Sequence, residues 1–95
     1  MAHVLLTAIV AVYNEERRLA ECLDSLLRQT YQPLEILVAD DGSSDGTRDV
    51  AARYPTVRLL AGAHRGKART VNEAVSMARG AIVLFLDGDM YFDPR

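Results

Sequence analysis

Four short runs rich in Val, Ile and Leu recur along the chain with amphipathic stretches between them, and this alternation admits few folds. The runs are Val4 to Tyr13, Leu34 to Asp40, Val57 to Ala61 and Ala81 to Leu86, and they show little polar alternation. Such runs suit strands buried on both faces, as in a parallel sheet. Between the first two, Leu19, Cys22, Leu23, Leu26 and Leu27 fall at helical spacing, with Glu15, Arg17, Arg18, Asp24 and Arg28 on the other faces. A second helix is expected over about Thr47 to Tyr54, stopped by Pro55. A third, about Gly66 to Arg79, would bury Val71, Ala74, Val75 and Ala78 and end at Gly80 in a left-handed conformation. The order βαβαβαβ, with right-handed crossovers, implies a three-layer α/β/α sandwich on a mainly parallel, Rossmann-like sheet.

The 95 residues leave room for one domain, residues 1–95, with a thin core. With 49% hydrophobic and 25% charged residues the chain reads as globular, and a net charge of -2 offers no footprint for nucleic acid. No apolar run is long enough to cross a bilayer, and the N-terminal stretch lacks the basic segment and cleavage pattern of a signal peptide. The expected location is the cytoplasm, or the cytoplasmic face of a membrane for a longer parent. The single cysteine, Cys22, sits on the apolar stripe of the first helix and reads as a core thiol.

In sheets of this kind ligands sit beyond the carboxyl ends of the strands, where the strand order reverses. The chemistry-bearing residues gather at those ends: Tyr13-Asn14-Glu15-Glu16, then Asp40-Asp41-Gly42-Ser43-Ser44-Asp45-Gly46, then His64-Arg65-Gly66-Lys67, then Asp87-Gly88-Asp89. Several have plain structural readings. Asn14 can cap the first helix and Glu15 and Glu16 favour its positive end; Ser44 or Asp45 can cap the second. Asp40 and Asp41 are harder to explain that way, since adjacent like charges at the end of a buried strand call for a donor or a cation. Tyr13 offers a flat ring on which a base can stack. Arg65 and Lys67 are either solvated charges or a diphosphate clamp at a helix N-terminus. Asp87-Gly88-Asp89 is either a polar turn or a pair of carboxylates for Mg2+ or Mn2+ that leaves further positions to phosphate oxygens and water. His3 and His64 have no metal-ligand spacing to any other residue and read as surface residues.

Taken in order, these stretches resemble the nucleotide-binding half of an inverting family 2 glycosyltransferase of the GT-A fold. The likeness runs from Ile9-Val10-Ala11-Val12-Tyr13-Asn14-Glu15-Glu16 through Cys22 to Tyr31, Leu34 to Thr47 and Gly66 to Ala74, and ends on Asp87-Gly88-Asp89, where the family carries its Asp-X-Asp motif. The resemblance implies a nucleotide-diphosphate sugar donor, most often uridine-linked, and a Mn2+ or Mg2+ cofactor. Ala11, Tyr13, Asp40, Asp41, Lys67, Asp87 and Gly88 would form the nucleotide site. Tyr13 would lie against the base, Asp41, supported by Asp40, would bond the uracil, and Lys67 would lie near the phosphates. Asp87 would contact the ribose or sugar, and Asp89, with Asp87, would hold the metal. Two departures stand out: Ala11 occupies a position usually held by Pro, and the loop Ala63 to Gly66 is not the usual Asn- and Gly-rich form.

Inverting transfer also needs a carboxylate to deprotonate the acceptor hydroxyl, which the family supplies well beyond its Asp-X-Asp motif. The expectation is therefore a truncated donor-binding half with no catalytic base of its own, unable to transfer sugar alone; the acceptor stays unknown. Such a piece would expose a strand edge and assemble as a homodimer or larger species, burying Val83, Phe85, Tyr91 and Phe92. Haloacid-dehalogenase-like phosphoryl transfer is the alternative enzyme reading, weakened because its Asp-X-Asp lies on the first strand and is followed by Thr, where Met90 stands here. A non-catalytic binding or assembly module is the third.

Overall fold

A computed structural model describes residues 4–90. Strands β1 (Leu6–Val12), β2 (Leu34–Asp40), β3 (Val57–Ala61) and β4 (Ile82–Asp87) alternate with helices α1 (Leu19–Leu27), α2 (Thr47–Ala52) and α3 (Lys67–Met77). All strand pairs are parallel and the sheet order is β3-β2-β1-β4, so the winding reverses at β1. The expected α/β layering is realised.

The two-residue period of the strands divides the core between two faces. Val10 and Val12 of β1 and Ile36 and Val38 of β2 pack against Leu19, Cys22, Leu23 and Leu26 of α1 and Val50 and Ala51 of α2. On the opposite face Ile9, Leu37 and Ala39 meet Ala74 of α3, with Leu60, Met77 and Val83 at the margin. β1 and β2 therefore have the apolar composition of strands covered on both sides. Each leucine fully buried in this way contributes roughly 1.5–3 kcal/mol of transfer free energy.

At the amino ends of the strands a polar clamp ties α3 to the sheet. The buried Thr7 hydroxyl donates to Glu35 Oε1 over 2.8 Å and accepts from Gly80 N over 2.9 Å. Arg58 Nη1 reaches Glu35 Oε2 over 2.7 Å and Arg79 N reaches Oε1 over 3.0 Å. Burial works to raise the Glu35 pKa, and these bonds outweigh it, holding the carboxyl below its ordinary value.

Several expectations are corrected. β4 is not covered on both faces: it lies at the sheet edge, paired among the described residues only with β1, and Ile82, Leu84 and Phe85 are exposed. Val75 is also exposed, because α3 turns Thr70 and Ala74 toward the sheet instead. Gly80 is not left-handed; α3 stops when Ala78 turns extended. What requires glycine at position 80 is proximity, since a Cβ would stand 2.6 Å from Thr7 Oγ1 and 2.7 Å from Thr7 N. Asn14 does not cap α1, whose N-terminal flank is Arg18 without a side-chain cap. Tyr91, Phe92 and Asp93, like His3, lie outside the described residues.

Candidate functional site

Strand register brings the four loops to one level. Val12 pairs with Asp40, Asp40 with Ala61, and Ala11 with both Ala39 and Asp87. Beyond these ends lies an open cleft of about 260 Å³ lined by Ala11, Tyr13, Asp41, Lys67, Asp87, Gly88 and Asp89, together with Val12, Glu15, Ala39, Thr70 and Val71. All but one of the residues expected at the nucleotide and metal site thus meet at the strand-order reversal.

The exception is Asp40. Its carboxylate is fully buried, taking Arg48 Nε at 2.7 Å and Ser43 N at 3.1 Å on Oδ2, while the Ser43 hydroxyl donates to Oδ1. Asp41 points the other way. Its Oδ1 accepts from Arg65 N at 3.0 Å, Gly66 N at 3.2 Å and the Thr70 hydroxyl at 2.9 Å. The pleat therefore resolves the charge conflict that the sequence poses, sending one acid to α2 and its neighbour to α3, each with its own donors. Burial alone would raise the Asp41 pKa. The bonds from Thr70, Arg65 and Gly66, with the neighbouring His64, outweigh that and hold it below the ordinary carboxylate range. Asp40 can affect the cleft only by fixing the loop in which Asp41 sits.

At the end of β4, Lys67 Nζ lies 2.7 Å from Asp87 Oδ1, and Arg18 Nη1 lies 3.7 Å from Asp89 Oδ2. Both carboxylates are about half exposed to the cleft, and each has drawn a cationic side chain. Oxygen-only donors of this kind suit a hard divalent cation. No cluster of three or more His, Cys, Asp or Glu able to hold a metal occurs among the described residues. Two carboxylates by themselves would fill only part of the coordination shell of such a cation.

The β1–α1 and β2–α2 loops are stitched together. Asn14, at φ 53, accepts on Oδ1 from Ser44 N at 2.8 Å and Asp45 N at 3.3 Å. Asn14 N donates to Ser43 Oγ at 2.9 Å, and Glu15 N to Thr47 Oγ1 at 2.8 Å. Asp45 Oδ1 takes Thr47 N at 2.9 Å, but the cap position of α2 is Gly46, without a side-chain cap, so neither Ser44 nor Asp45 caps the helix in the ordinary sense. Tyr13, held at the root of this unit, stacks on His64 with ring centroids 4.3 Å apart.

Three side chains beside the cleft carry no strong motif in the sequence. His64 is a surface residue, as its lack of metal-ligand spacing suggests, and its exposed ring also covers Tyr13 and sets Nδ1 3.3 Å from Asp41 Oδ2. Thr70 was not singled out; its place one turn before Ala74 on α3 was the available signal. Arg18 beside Asp89 left no signal beyond its charge.

Residues 7–95 match the model of the family described as glycosyl transferase family 2. An uncharacterized glycosyltransferase of Bacillus subtilis, EpsJ, is 37% identical over 91 residues, covering 92% of this chain and 26% of its own length. The mannosyltransferase PcManGT of Pyrobaculum calidifontis, solved with GDP-Man and Mn2+, superposes with a TM-score of 0.80 at 36% identity, over 90% of this chain and 28% of that one. Staphylococcus aureus TarS 1-349 in complex with UDP-GlcNAc superposes at 0.79 and 33% identity, over 90% and 27%. The chain spans about a quarter of the length of such relatives.

Proposed function

The chain belongs to glycosyl transferase family 2 and has the GT-A type of α/β fold, and from that premise we propose that it forms the donor-binding portion of an inverting transferase that uses a nucleotide-diphosphate sugar, uridine-linked in the first instance. The observation that carries this reading is the meeting of Tyr13, Asp41, Lys67, Asp87 and Asp89 in one cleft at the strand-order reversal. Solved relatives with GDP-Man and with UDP-GlcNAc support the donor class.

Each residue has a task that follows from its placement. Tyr13 offers a ring face to the base. Asp41, ionised and anchored by the β3–α3 loop, presents carboxylate oxygen to a base N–H. Lys67, on the first turn of α3, exchanges its contact with Asp87 for a phosphate oxygen. Asp89 and Asp87 would hold Mn2+ or Mg2+, whose charge offsets the negative charge that builds on the departing diphosphate. In an inverting transfer the acceptor oxygen bonds to the anomeric carbon as the sugar–phosphate bond on the opposite side breaks, and the acceptor proton passes to a base. Among the described residues the carboxylates lining the cleft are Glu15, Asp41, Asp87 and Asp89. Asp41 is committed to the β3–α3 loop, Thr70 and the nucleobase, and the Asp87 and Asp89 pair serves the leaving side. Glu15 precedes α1, where a carboxylate favours the positive helix end, and the catalytic base is proposed to lie outside these four carboxylates.

Calorimetry with UDP in Mn2+ and in EDTA tests the reading. UDP binds more tightly with the metal, and Asp89→Ala removes that increment while the circular dichroism spectrum is kept. Equal UDP affinity in both buffers, in a folded sample, overturns the metal assignment; no UDP binding in either overturns the donor site. The chain alone transfers no sugar to an acceptor and at most hydrolyses donor slowly. Robust transfer would relocate the base to Glu15, Glu16 or Asp93.

A further inference from the structure

His64 presents a flat ring to Tyr13, centroids 4.3 Å apart and planes 23° from parallel. The same imidazole sets Nδ1 3.3 Å from Asp41 Oδ2 and 3.1 Å from the Asp41 carbonyl oxygen. A planar ring with a nitrogen thus makes both contacts that the proposed donor site reserves for a nucleobase. We propose that His64 is an internal stand-in for the base: it occupies Tyr13 and Asp41 Oδ2 in the free chain, must leave both when the nucleoside binds, and thereby sets how tightly the base half of the donor is held. This rests on the nucleotide-binding reading above.

The backbone around His64 is fixed, so the side chain does the moving. Arg65 N and Gly66 N are both bonded to the Asp41 carboxylate. On the other side Gly42, at φ 76, lets the loop come so close that a Cβ there would stand 2.4 Å from His64 N. Backing the loop away would break these contacts together. The His64 side chain is 61% exposed, and rotation about its own bonds carries the ring into solvent at little cost. When it goes, Oδ1 keeps Arg65 N and the Thr70 hydroxyl, Gly66 N stays shared between the two oxygens, and a second acceptor position on Oδ2 opens to an incoming donor. A base with a ring N–H and a bare π-face replaces what the imidazole gave up; a diphosphate without a base has no reason to displace it.

The test is calorimetric titration of uridine, UDP and inorganic pyrophosphate into the chain, His64→Ala and His64→Phe. His64→Ala is expected to bind uridine and UDP roughly three- to tenfold more tightly, the scale of one aromatic pair, with pyrophosphate unchanged. His64→Phe keeps a ring on Tyr13 but offers Asp41 no donor, and falls between the two. In proton NMR spectra the His64 ring signals, identified by their loss in His64→Ala, shift as uridine removes them from the Tyr13 ring. Unchanged or weaker uridine binding by His64→Ala, with UDP still bound by the parent chain, overturns the stand-in role and leaves the donor site intact. Should the alanine variant melt early, His64→Phe binding uridine no tighter than the parent overturns it equally. Absence of uridine and UDP binding in all three chains overturns both.

Discussion

Lys67 Nζ lies 2.7 Å from Asp87 Oδ1 and so joins the first turn of α3 to the end of the edge strand. Both side chains are more than half exposed, and a pair so placed adds little to stability. Its value is to park a cation where phosphate oxygens are expected. Lys67→Ala should leave the melting temperature nearly unchanged and weaken UDP roughly tenfold in EDTA, the scale of one charge-assisted hydrogen bond. The loss should be smaller with Mn2+ present. A large drop in melting temperature without a change in UDP affinity would make the pair structural.

Gly80→Ala tests the polar clamp at the other end of the sheet. The added Cβ would meet Thr7 Oγ1, Thr7 N and Leu5 O, all within 2.9 Å, and two of the three are backbone atoms that cannot turn aside. A cost of about 1–3 kcal/mol is expected, read as a lower urea midpoint with an unchanged slope. A midpoint within error of the parent would show that the α3–β4 turn yields more easily than its contacts imply.

Acid should unfold the chain through three carboxylates. For Asp41, Asp45 and Glu35 burial raises the pKa, and hydrogen bonds from Thr70 and Arg65 N, from Thr47, and from Arg79 N, Thr7 and Arg58 respectively carry it below the ordinary value. Between the lowered and the ordinary value the unfolded chain binds more protons, so stability rises with pH there. The contribution is complete above the ordinary carboxylate range, about pH 4, and is lost as pH falls through the folded values. Thermal melts followed by circular dichroism should be level in this respect from pH 7 to pH 5 and fall steeply below about pH 4. A melting temperature that holds to pH 2.5 would contradict the assignment.

The open side of β4 bears on assembly. Ile82, Leu84 and Phe85 are exposed along an edge strand with no partner beyond it among the described residues, an arrangement that invites pairing. Light scattering at high concentration should give a dimer or larger species, and Phe85→Lys should shift it toward monomer. A clean monomer of the parent chain would exclude edge pairing.

Local signals carried the element order and the convergence of four loops. Apolar runs and helical spacing in segments such as Leu19 to Leu27 depend on neighbours a few residues away, and the parallel sheet follows from the alternation. The failures are pairings between distant positions. Asn14 is the residue type of a helix cap, yet its side-chain Oδ1 accepts from Ser44 N and Asp45 N, in the loop after β2. His64 has no local motif, and its partners, Tyr13 and Asp41, belong to other strand ends. Asp40 and Asp41 read as one acidic pair because sequence does not display the pleat that sends them to opposite faces. β4 has the composition of an interior strand and the position of an edge, and only the sheet order tells them apart.

Cys22 is fully buried on the sheet-facing side of α1, and burial together with the charge of Asp89 pushes its thiol up to about 11. The chain has no other cysteine. A cysteine placed at the exposed Thr56, in the turn leading into β3, would be the one thiol open to maleimide at neutral pH. That turn lies at the amino ends of the strands, across the sheet from the cleft. A fluorophore or a sensor chip coupled there would leave the cleft facing solution, with no second thiol to blur the attachment point.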